Sequence, residues 1–478
     1  MISYPLKVES IKAEITPETV GNKAYNLMAM STLGLPVPNG FVIPISAAPF
    51  SKEELISEFN IYNLKLPVSV RSGAAASMPG MMDTILNIGS TYSKNDEYSK
   101  LELAFKSDCY LRLIESIGCS IFNLDSDKFN KIEKAAHDFY IDDPVSMNEK
   151  IIERYLDVWS ESEWQQFPED WEEQLWLAAL AVKDSWNSQR AIEYREAEGI
   201  SHNGGTAILV QEMVFGNFNE RSGTGVVFSH NPNTGKPGLY GDFLPFAQGE
   251  DIVSGSKVPM SIDSMLSNSL FKKSGKELKS YIGKLLRHFK SIQDVEFTIE
   301  DGTLYILQTR SGKCSPKAYV RSALSMVSNG SMSILEATDM IMASLPKSNT
   351  QKIVIDENML VRLGFGIGVA EGEVAGVVAC SRNFADEMRN QGKPYIFCAD
   401  ITSPNDTEVM RHSAGVLTAK GGRLSHAAVL ARSMSKPTVV GFESMTVSAD
   451  QFTVDEDTIK NGDMIKIDGT TGAIHYLA

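Results

Sequence analysis

The segment GGRLSHAAVLARSM, Gly421 to Met434, sets two glycines, a serine and a histidine ahead of an apolar run with helical spacing. That spacing predicts a helix over His426–Ser433, with His426 in its first turn. Unpaired backbone N–H groups and the helix dipole at such a start favour an incoming phosphate. The same positive end disfavours imidazolium and keeps the ring neutral and nucleophilic near neutral pH. Histidine is a competent covalent nucleophile. Gly421 and Gly422 clear space beside it, and the Ser425 hydroxyl can serve a phosphoryl oxygen. On these residues alone, a phosphoryl acceptor and a packed histidine stay equally open. The other histidines, His137, His202, His230, His288, His412 and His475, show no metal-ligand spacing and are assigned to surface or packing.

A second constellation lies in QDVEFTIEDGTLYILQTR. On a strand, Asp294 and Glu296 share one face while Val295, Phe297 and Ile299 point into a core. On the return strand, Gln308 and Arg310 share a face. A two-residue Asp-Gly loop would pair Glu300 with Thr303 and send Asp294 and Gln308 to opposite faces. A three-residue loop, Glu300-Asp301-Gly302, would pair Ile299 with Thr303 and put all four polar residues on one face. Gly302 suits the left-handed position that ends such a loop, so the three-residue form is the expectation. Two carboxylates beside an arginine and an amide suit a Mg²⁺–nucleotide site, because Mg²⁺ takes hard oxygen ligands and shares phosphate oxygens. Arginine can fork onto phosphate. Taken alone, the hairpin favours a solvated polar face with a cross-strand ion pair.

Two glycine-containing segments add positive charge. In VRSGAAASMPGMMDT, Arg71 ends a strand and small residues follow, so the backbone can approach a phosphate chain and donate to it. In VGNKAYNL, Lys23 follows Gly21 closely. Neither is a P-loop, and singly each cation reads better as an exposed lysine or a surface ion pair. Met81 and Met82 read as core filling.

The elements that must hold these residues are legible in outline. The chain has 478 residues, 43% hydrophobic and 22% charged, enough for two or three domains of an ordinary soluble globular type. A net charge of −15 argues against a general nucleic-acid binder. No apolar run has the length of a membrane span, and the first residues do not form a secretory signal. Cys109, Cys119, Cys314, Cys380 and Cys398 form no CxxC pair and read as reduced cytoplasmic thiols. Short strands and glycine-rich turns fill residues 1–100, helices fill about 100–200, and strands return from residue 206. Residues 274–290 read as a basic helix, 293–310 as a hairpin and 316–345 as two short helices. The polar stretch SLPKSNTQ reads as a linker, which places the main boundary near residue 350, before a compact α/β segment over 352–478.

Taken together, the pieces resemble the pyruvate, phosphate dikinase and phosphoenolpyruvate synthase family of phosphoenolpyruvate-utilising enzymes. The matching segments are GNKAYNL, GLPVPNGFVI, VSVRSGAAASMPGMMDT, MVFGNFNERSGTGVVFSHNPNTG, YGDFLPFAQGEDIVSG, DVEFTIEDGTLYILQTR, TSPNDTEVMRHSAGVLTAKGGRLSHAAVLAR and NGDMIKIDGTTG, in family order over nearly the whole chain. The form MPGMMDT is closer to the phosphate-using dikinase. The resemblance implies an α/β (α+β) architecture: an ATP-grasp nucleotide-binding domain over 1–310 with a helical insertion at about 100–200, a helical connector and linker over 311–350, and a swivelling phosphohistidine domain over 351–478. It implies ATP binding by Lys23, Arg71, Asp294, Glu296, Gln308 and Arg310, with Gly80, Met81, Met82, Asp83 and Thr84 as a phosphate-covering loop. It implies Mg²⁺ at Asp294 and Glu296, and phosphorylation at His426.

The implied enzyme is a cytoplasmic, dikinase-type phosphotransferase. The β-phosphoryl of ATP goes to the histidine with release of AMP, the γ-phosphoryl goes to phosphate or water, and the phosphohistidine then serves pyruvate. The family's phosphoenolpyruvate- and pyruvate-binding barrel would follow the phosphohistidine domain, beyond Ala478; either the protein is longer than this sequence or the acceptor site lies on another protein, with a separate barrel-bearing chain the expected partner. Direct transfer to another small molecule, and a phosphohistidine carrier or regulatory protein, remain alternatives. Three departures stand out. His230 replaces an arginine, which counts against inorganic phosphate as the γ-acceptor. Asp242 replaces a glutamate, with a metal contact at stake, and Leu424 replaces a threonine, which affects local packing.

Overall fold

A computed structural model describes residues 3–76, 78, 80–93, 98–139, 143–254, 259–328, 330–344, 360–423, 425–455 and 457–477. The expected linker near 346–351 and Leu424 lie outside these residues. The fold is mixed α/β. Its contacts divide into two units, Met1–Asn219 with Tyr305–Gln308, and Glu220–Leu304 with Thr309–Ala478.

The first unit is built on a five-stranded antiparallel sheet in the order Tyr4–Pro5, Gly40–Ile43, Ala207–Glu212, Val68–Gly73, Thr84–Ile88. Val68 and Val70 alternate into the core, and Arg71 falls on the opposite face, opposite Thr84. Among the described residues, five α-helices lie between Lys100 and Glu198, where a helical section is expected. The longest, Lys100–Ile121, starts at a capping box: Ser99 Oγ accepts from Glu102 N, and the Glu102 carboxylate accepts from Ser99 N. Its Tyr110, Leu113, Ile114 and Ile117 form a helical stripe that shares one core with Val68, Val70 and Ile85 of the sheet. The helix Pro17–Thr32 is broken at Gly21, whose φ of 76° is a left-handed value. A Cβ there would meet the Gly73 carbonyl oxygen at 2.1 Å, so only glycine lets this helix dock on the strand end.

The second unit contains a sheet in the order Thr303–Ser311, Gln293–Glu300, Gly223–His230, Pro237–Pro245, Met260–Ser261. Val295, Phe297 and Ile299 are fully buried, as the alternation predicts, and the Phe243 and Phe297 rings lie parallel at 6.0 Å. Asp294 and Glu296 stand on the other face, in register with Phe228 and Val226. The basic helix Lys272–Phe289 buries Leu278, Ile282 and Leu285.

The remainder of this unit carries an eight-stranded sheet. Its centre is parallel: Glu373–Ala379, Tyr395–Ala399, Gly415–Thr418 and Thr438–Val440 run side by side. Helices Arg382–Asn390, Thr407–His412 and His426–Met434 link them in turn. Each link leaves a strand at its carboxyl end, where loops gather functional side chains in such sheets.

Candidate active site

The cationic residues of the first unit meet at one strand end. Asn22 N donates to the Ala74 carbonyl at 2.9 Å, which docks the kinked helix onto the segment after Gly73. A Cβ on Gly73 would lie 3.9 Å from Lys23 Cβ, so Lys23 rises beside the strand that bears Arg71. Arg71 donates to Gln308 Oε1 at 3.4 Å, to the Leu307 carbonyl at 3.4 Å and to Gln211 Oε1 at 3.5 Å. Lys23, Arg71 and Gln308 are thus brought together, with Gln211 as a neighbour that the sequence reading missed. The segment Gly80–Thr84 leads into the next strand. Met81 is buried with Trp186 and Tyr194, in keeping with core filling, and Met82 packs against the same cluster. Asp83 pairs with Arg190, which also donates to the Met81 carbonyl at 3.2 Å. Burial pushes the Asp83 carboxyl up, and Arg190 opposes this.

The hairpin corrects the expected loop. Its strands end at Glu300 and resume at Thr303, leaving only Asp301 and Gly302 between them, at φ 45° and 80°. Positive φ at both residues marks a two-residue turn of the type Asp-Gly favours. Aspartate tolerates the left-handed region better than most residues, so no third residue is needed. The turn is pinned from outside: Asp301 pairs with Arg221, Asp301 N donates to Ser222 Oγ at 2.9 Å, and Gly302 N donates to the Arg221 carbonyl at 3.0 Å. Within this hairpin Arg310 stands with the two carboxylates, and Gln308 accepts from Arg71.

Arg310 Nε lies 2.7 Å from Asp294 Oδ2, and Nη2 lies 4.0 Å from Glu296 Oε1. Asp294 is 3% exposed. Burial raises its carboxyl above the ordinary range, and Arg310 works against that shift. Asp294 Oδ1 is buried with no hydrogen-bond partner among the described residues. A buried carboxylate oxygen left open beside a second carboxylate fits a hard cation. Among the described residues, no group of three or more His, Cys, Asp or Glu is arranged to hold a metal.

His426 begins the helix His426–Met434 with Ser425 as N-cap, as the spacing predicts. Its Nδ1 lies 3.2 Å from Thr402 Oγ1, in the loop after the neighbouring strand Tyr395–Ala399. The ring pKa is lowered, as expected, but burial is the main cause; Asp406 opposes it and Lys313 assists. Burial therefore does what the helix end was expected to do. Ser425 Oγ is buried and has no hydrogen-bond partner among the described residues. The two glycines serve it indirectly. Gly421, at φ 114°, makes room for Ser425, which a Cβ would meet at 3.0 Å. Gly422 admits Asp242, whose Oδ2 would lie 3.0 Å from a Cβ there. Asp242 Oδ1 lies 3.8 Å from Arg423 Nη1, so this aspartate faces the arginine of the histidine loop. His230 is buried, its Nδ1 is 3.2 Å from Ser229 Oγ, and burial lowers its pKa. A groove of about 480 Å³ lined by residues such as Cys380, Arg382, Ser403 and Asp406 lies on the same domain, and none of the expected site residues lines it.

Thr402 and Arg432 are the side chains at His426 that sequence reading missed. Thr402 lies in a polar loop with no local signature. Arg432 is the lone charge within an apolar helical run, and its burial could have been inferred from that setting.

The family model described as pyruvate phosphate dikinase, AMP/ATP-binding domain matches residues 51–262 and 256–330. The model described as PEP-utilising enzyme, mobile domain matches residues 391–472, which include His426. Pyruvate, phosphate dikinase of Rickettsia prowazekii is 38% identical over 95% of this chain and 56% of its own length. That of Rhizobium meliloti is 36% identical over 96% of this chain and 56% of its own length. The chloroplastic enzyme of Flaveria trinervia is 35% identical over 95% of this chain and 51% of its own length. The chain spans about half the length of these curated relatives. No helix among the described residues is long and apolar enough to cross a membrane. Two matched domains and relatives aligned along nearly the whole sequence make this chain a member of the pyruvate, phosphate dikinase family.

Proposed function

We propose that this chain carries the ATP half-reaction of a dikinase. ATP with Mg²⁺ binds at an ATP-grasp domain over about 1–310, and a mobile domain over about 351–478 presents His426. In the productive tautomer, Nδ1–H donates to Thr402 and leaves the Nε2 lone pair free. Nε2 attacks the β-phosphorus, the bond to the bridging oxygen of AMP breaks, and AMP departs with that electron pair, so the ring first carries both the β- and γ-phosphoryl groups. Phosphate or water then attacks the γ-phosphorus, the bond to the β–γ bridging oxygen breaks, and that oxygen stays with its electron pair on the β-phosphorus. Phosphoryl transfer of this kind is mostly positioning and charge stabilisation. Lys23, Arg71 and Arg310 offset phosphate charge, Gln308 orients the nucleotide, and Gly80, Met81, Met82, Asp83 and Thr84 cover the phosphates. Asp294 and Glu296 would hold Mg²⁺, which supplies further charge neutralisation. The observation that carries the reading is the half-buried His426, its pKa lowered by that burial, with its Nδ1 at Thr402 and a Ser425 hydroxyl beside it that has no partner among the described residues.

The phosphohistidine is proposed to serve pyruvate on a barrel that this sequence does not include, with another small molecule or a carrier role as the alternatives. His230 bears on the γ-acceptor. Buried and neutral, it brings no fixed charge to the position where the family has arginine, which favours water over phosphate. The test is AMP release and the fate of γ-labelled phosphate, with and without added phosphate. AMP with labelled orthophosphate, independent of added phosphate, supports water. Labelled pyrophosphate that requires added phosphate supports the phosphate-using reaction. No AMP under either condition contradicts the half-reaction.

A further inference from the structure

Arg432 lies six residues beyond His426 in the same helix and is 2% exposed. Helical side chains lean back toward the helix N-terminus. This one reaches far enough for Nη1 to donate to the Arg423 carbonyl at 2.9 Å, three residues before His426, and to the Val369 carbonyl at 3.4 Å. The guanidinium lies over the Phe228 ring at 5.5 Å. Its Nε and Nη2 are buried and have no hydrogen-bond partner among the described residues. Ser425 Oγ at the helix start and Asp294 Oδ1 are in the same condition.

A residue that only tethered the loop would use Nη1 and leave the rest to solvent. Here two donor directions of a buried cation stay empty, an arrangement that costs free energy until an acceptor arrives. Burial pulls the Arg432 pKa down, and the carboxylates of Asp294 and Asp242 oppose that shift. A guanidinium keeps its charge in proteins, so a fixed cation reaches the loop before the histidine helix, within the field of the carboxylate proposed to face the nucleotide.

We propose that Arg432 binds the phosphoryl group in transit, with Nε and Nη2 donating to two of its oxygens as it joins His426 and while it stays there. The proposal rests on the reading of His426 as the phosphoryl acceptor. A guanidinium fork matches two phosphoryl oxygens in a way that an ammonium does not. Arg432 neither gives nor takes a proton. The Nε2–phosphorus bond forms as the bond to the AMP oxygen breaks, and the cation offsets charge on the group being passed.

The test uses the whole chain as wild type, Arg432→Gln and Arg432→Lys. First, His426 is phosphorylated with phosphoramidate, a donor that needs no nucleotide, and the phosphorus NMR shift and hydrolysis rate of the phosphohistidine are recorded. Arg432→Gln is expected to move the resonance and change the lifetime by about tenfold, the scale of one lost charged contact. Arg432→Lys is expected to restore the charge effect in part. Second, single-turnover labelling from β-labelled ATP is expected to fall about 100-fold in Arg432→Gln, the size of one lost transition-state donor, with the Kd for Mg-ATP within about twofold.

Phosphohistidine with unchanged resonance and lifetime in both variants would show that Arg432 only holds the loop. If Arg432→Gln does not fold, Arg432→Lys, which keeps the cation, decides the matter by the same two readings. A wild-type chain that accepts phosphoramidate but takes no label from ATP overturns the nucleotide reading and leaves Arg432 to the NMR arm. A wild-type His426 that accepts neither donor overturns both.

Discussion

The carboxylate face of the hairpin and the histidine loop are both buried and charged, yet they are finished differently. At the hairpin, Arg310 already answers Asp294 at 2.7 Å. At the histidine loop, the Ser425 hydroxyl and two nitrogens of Arg432 answer nothing among the described residues. One region is partly answered by its own chain, with Asp294 Oδ1 still open among the described residues, and a cation and nucleotide must compete with an existing ion pair there. The other waits for a ligand. The difference suggests that the hairpin is stable without its guest, whereas the loop gains its last contacts only when a phosphoryl group is present.

The sharpest way to break the comparison is Asp294→Ala. It leaves Arg310 with only a distant Glu296 and is expected to cost about 3 kcal/mol in denaturant unfolding, as for a broken buried pair. The Kd for Mg-ATP is expected to rise about 100-fold, on the scale of a lost charge-assisted contact. A change of only a few tenths of a kcal/mol would mean that the pair is loose. Thr402→Val removes the partner of His426 Nδ1 without altering size greatly. Labelling of the protein is expected to slow about tenfold, with Thr402→Ser recovering most of the rate.

The acid limb provides a gentler probe. Burial lowers the His426 pKa below the ordinary value of about 6.5. The ring therefore stays neutral as pH falls through that value, and labelling should decline only further into acid. The unfolded chain takes up its proton first, so stability should also fall as pH drops from about 6.5 toward the folded pKa. A labelling rate that falls already between pH 7 and about 6.5 would contradict a buried ring. The smallest effect is expected at Gly302→Ala, where φ is 80° and a Cβ would meet nothing. Backbone strain alone should cost about 1 kcal/mol with labelling unchanged.

Much of the architecture is legible because its signals are local. Val295, Phe297 and Ile299 alternate, the stripe through Leu113 and Ile117 has helical spacing, and a serine precedes the His426 helix. The misread feature is the hairpin loop. Asp301 and Gly302 fit both a two-residue and a three-residue turn, and the choice depends on Arg221 and Ser222, some 80 residues away in sequence. The cause of the neutral histidine was also misassigned, because burial by distant segments cannot be read from GGRLSH. Thr402 escaped for the same reason; the burial of Arg432 was open to inference, but its reach back to the Arg423 carbonyl was not. Their roles come from where the parallel sheet delivers one loop and from how far one side chain runs back along its helix.

The central claim is that His426 receives the β-phosphoryl of ATP. It is tested most directly by incubating the wild-type chain and His426→Asn with Mg-ATP labelled at the β- or the γ-position, and mapping acid-labile label on the protein. With phosphate present, the account predicts that the label remaining comes from the β-position alone, located at His426 and absent from the variant. With phosphate present, γ-label retained at His426, or β-label that persists in His426→Asn, would contradict it.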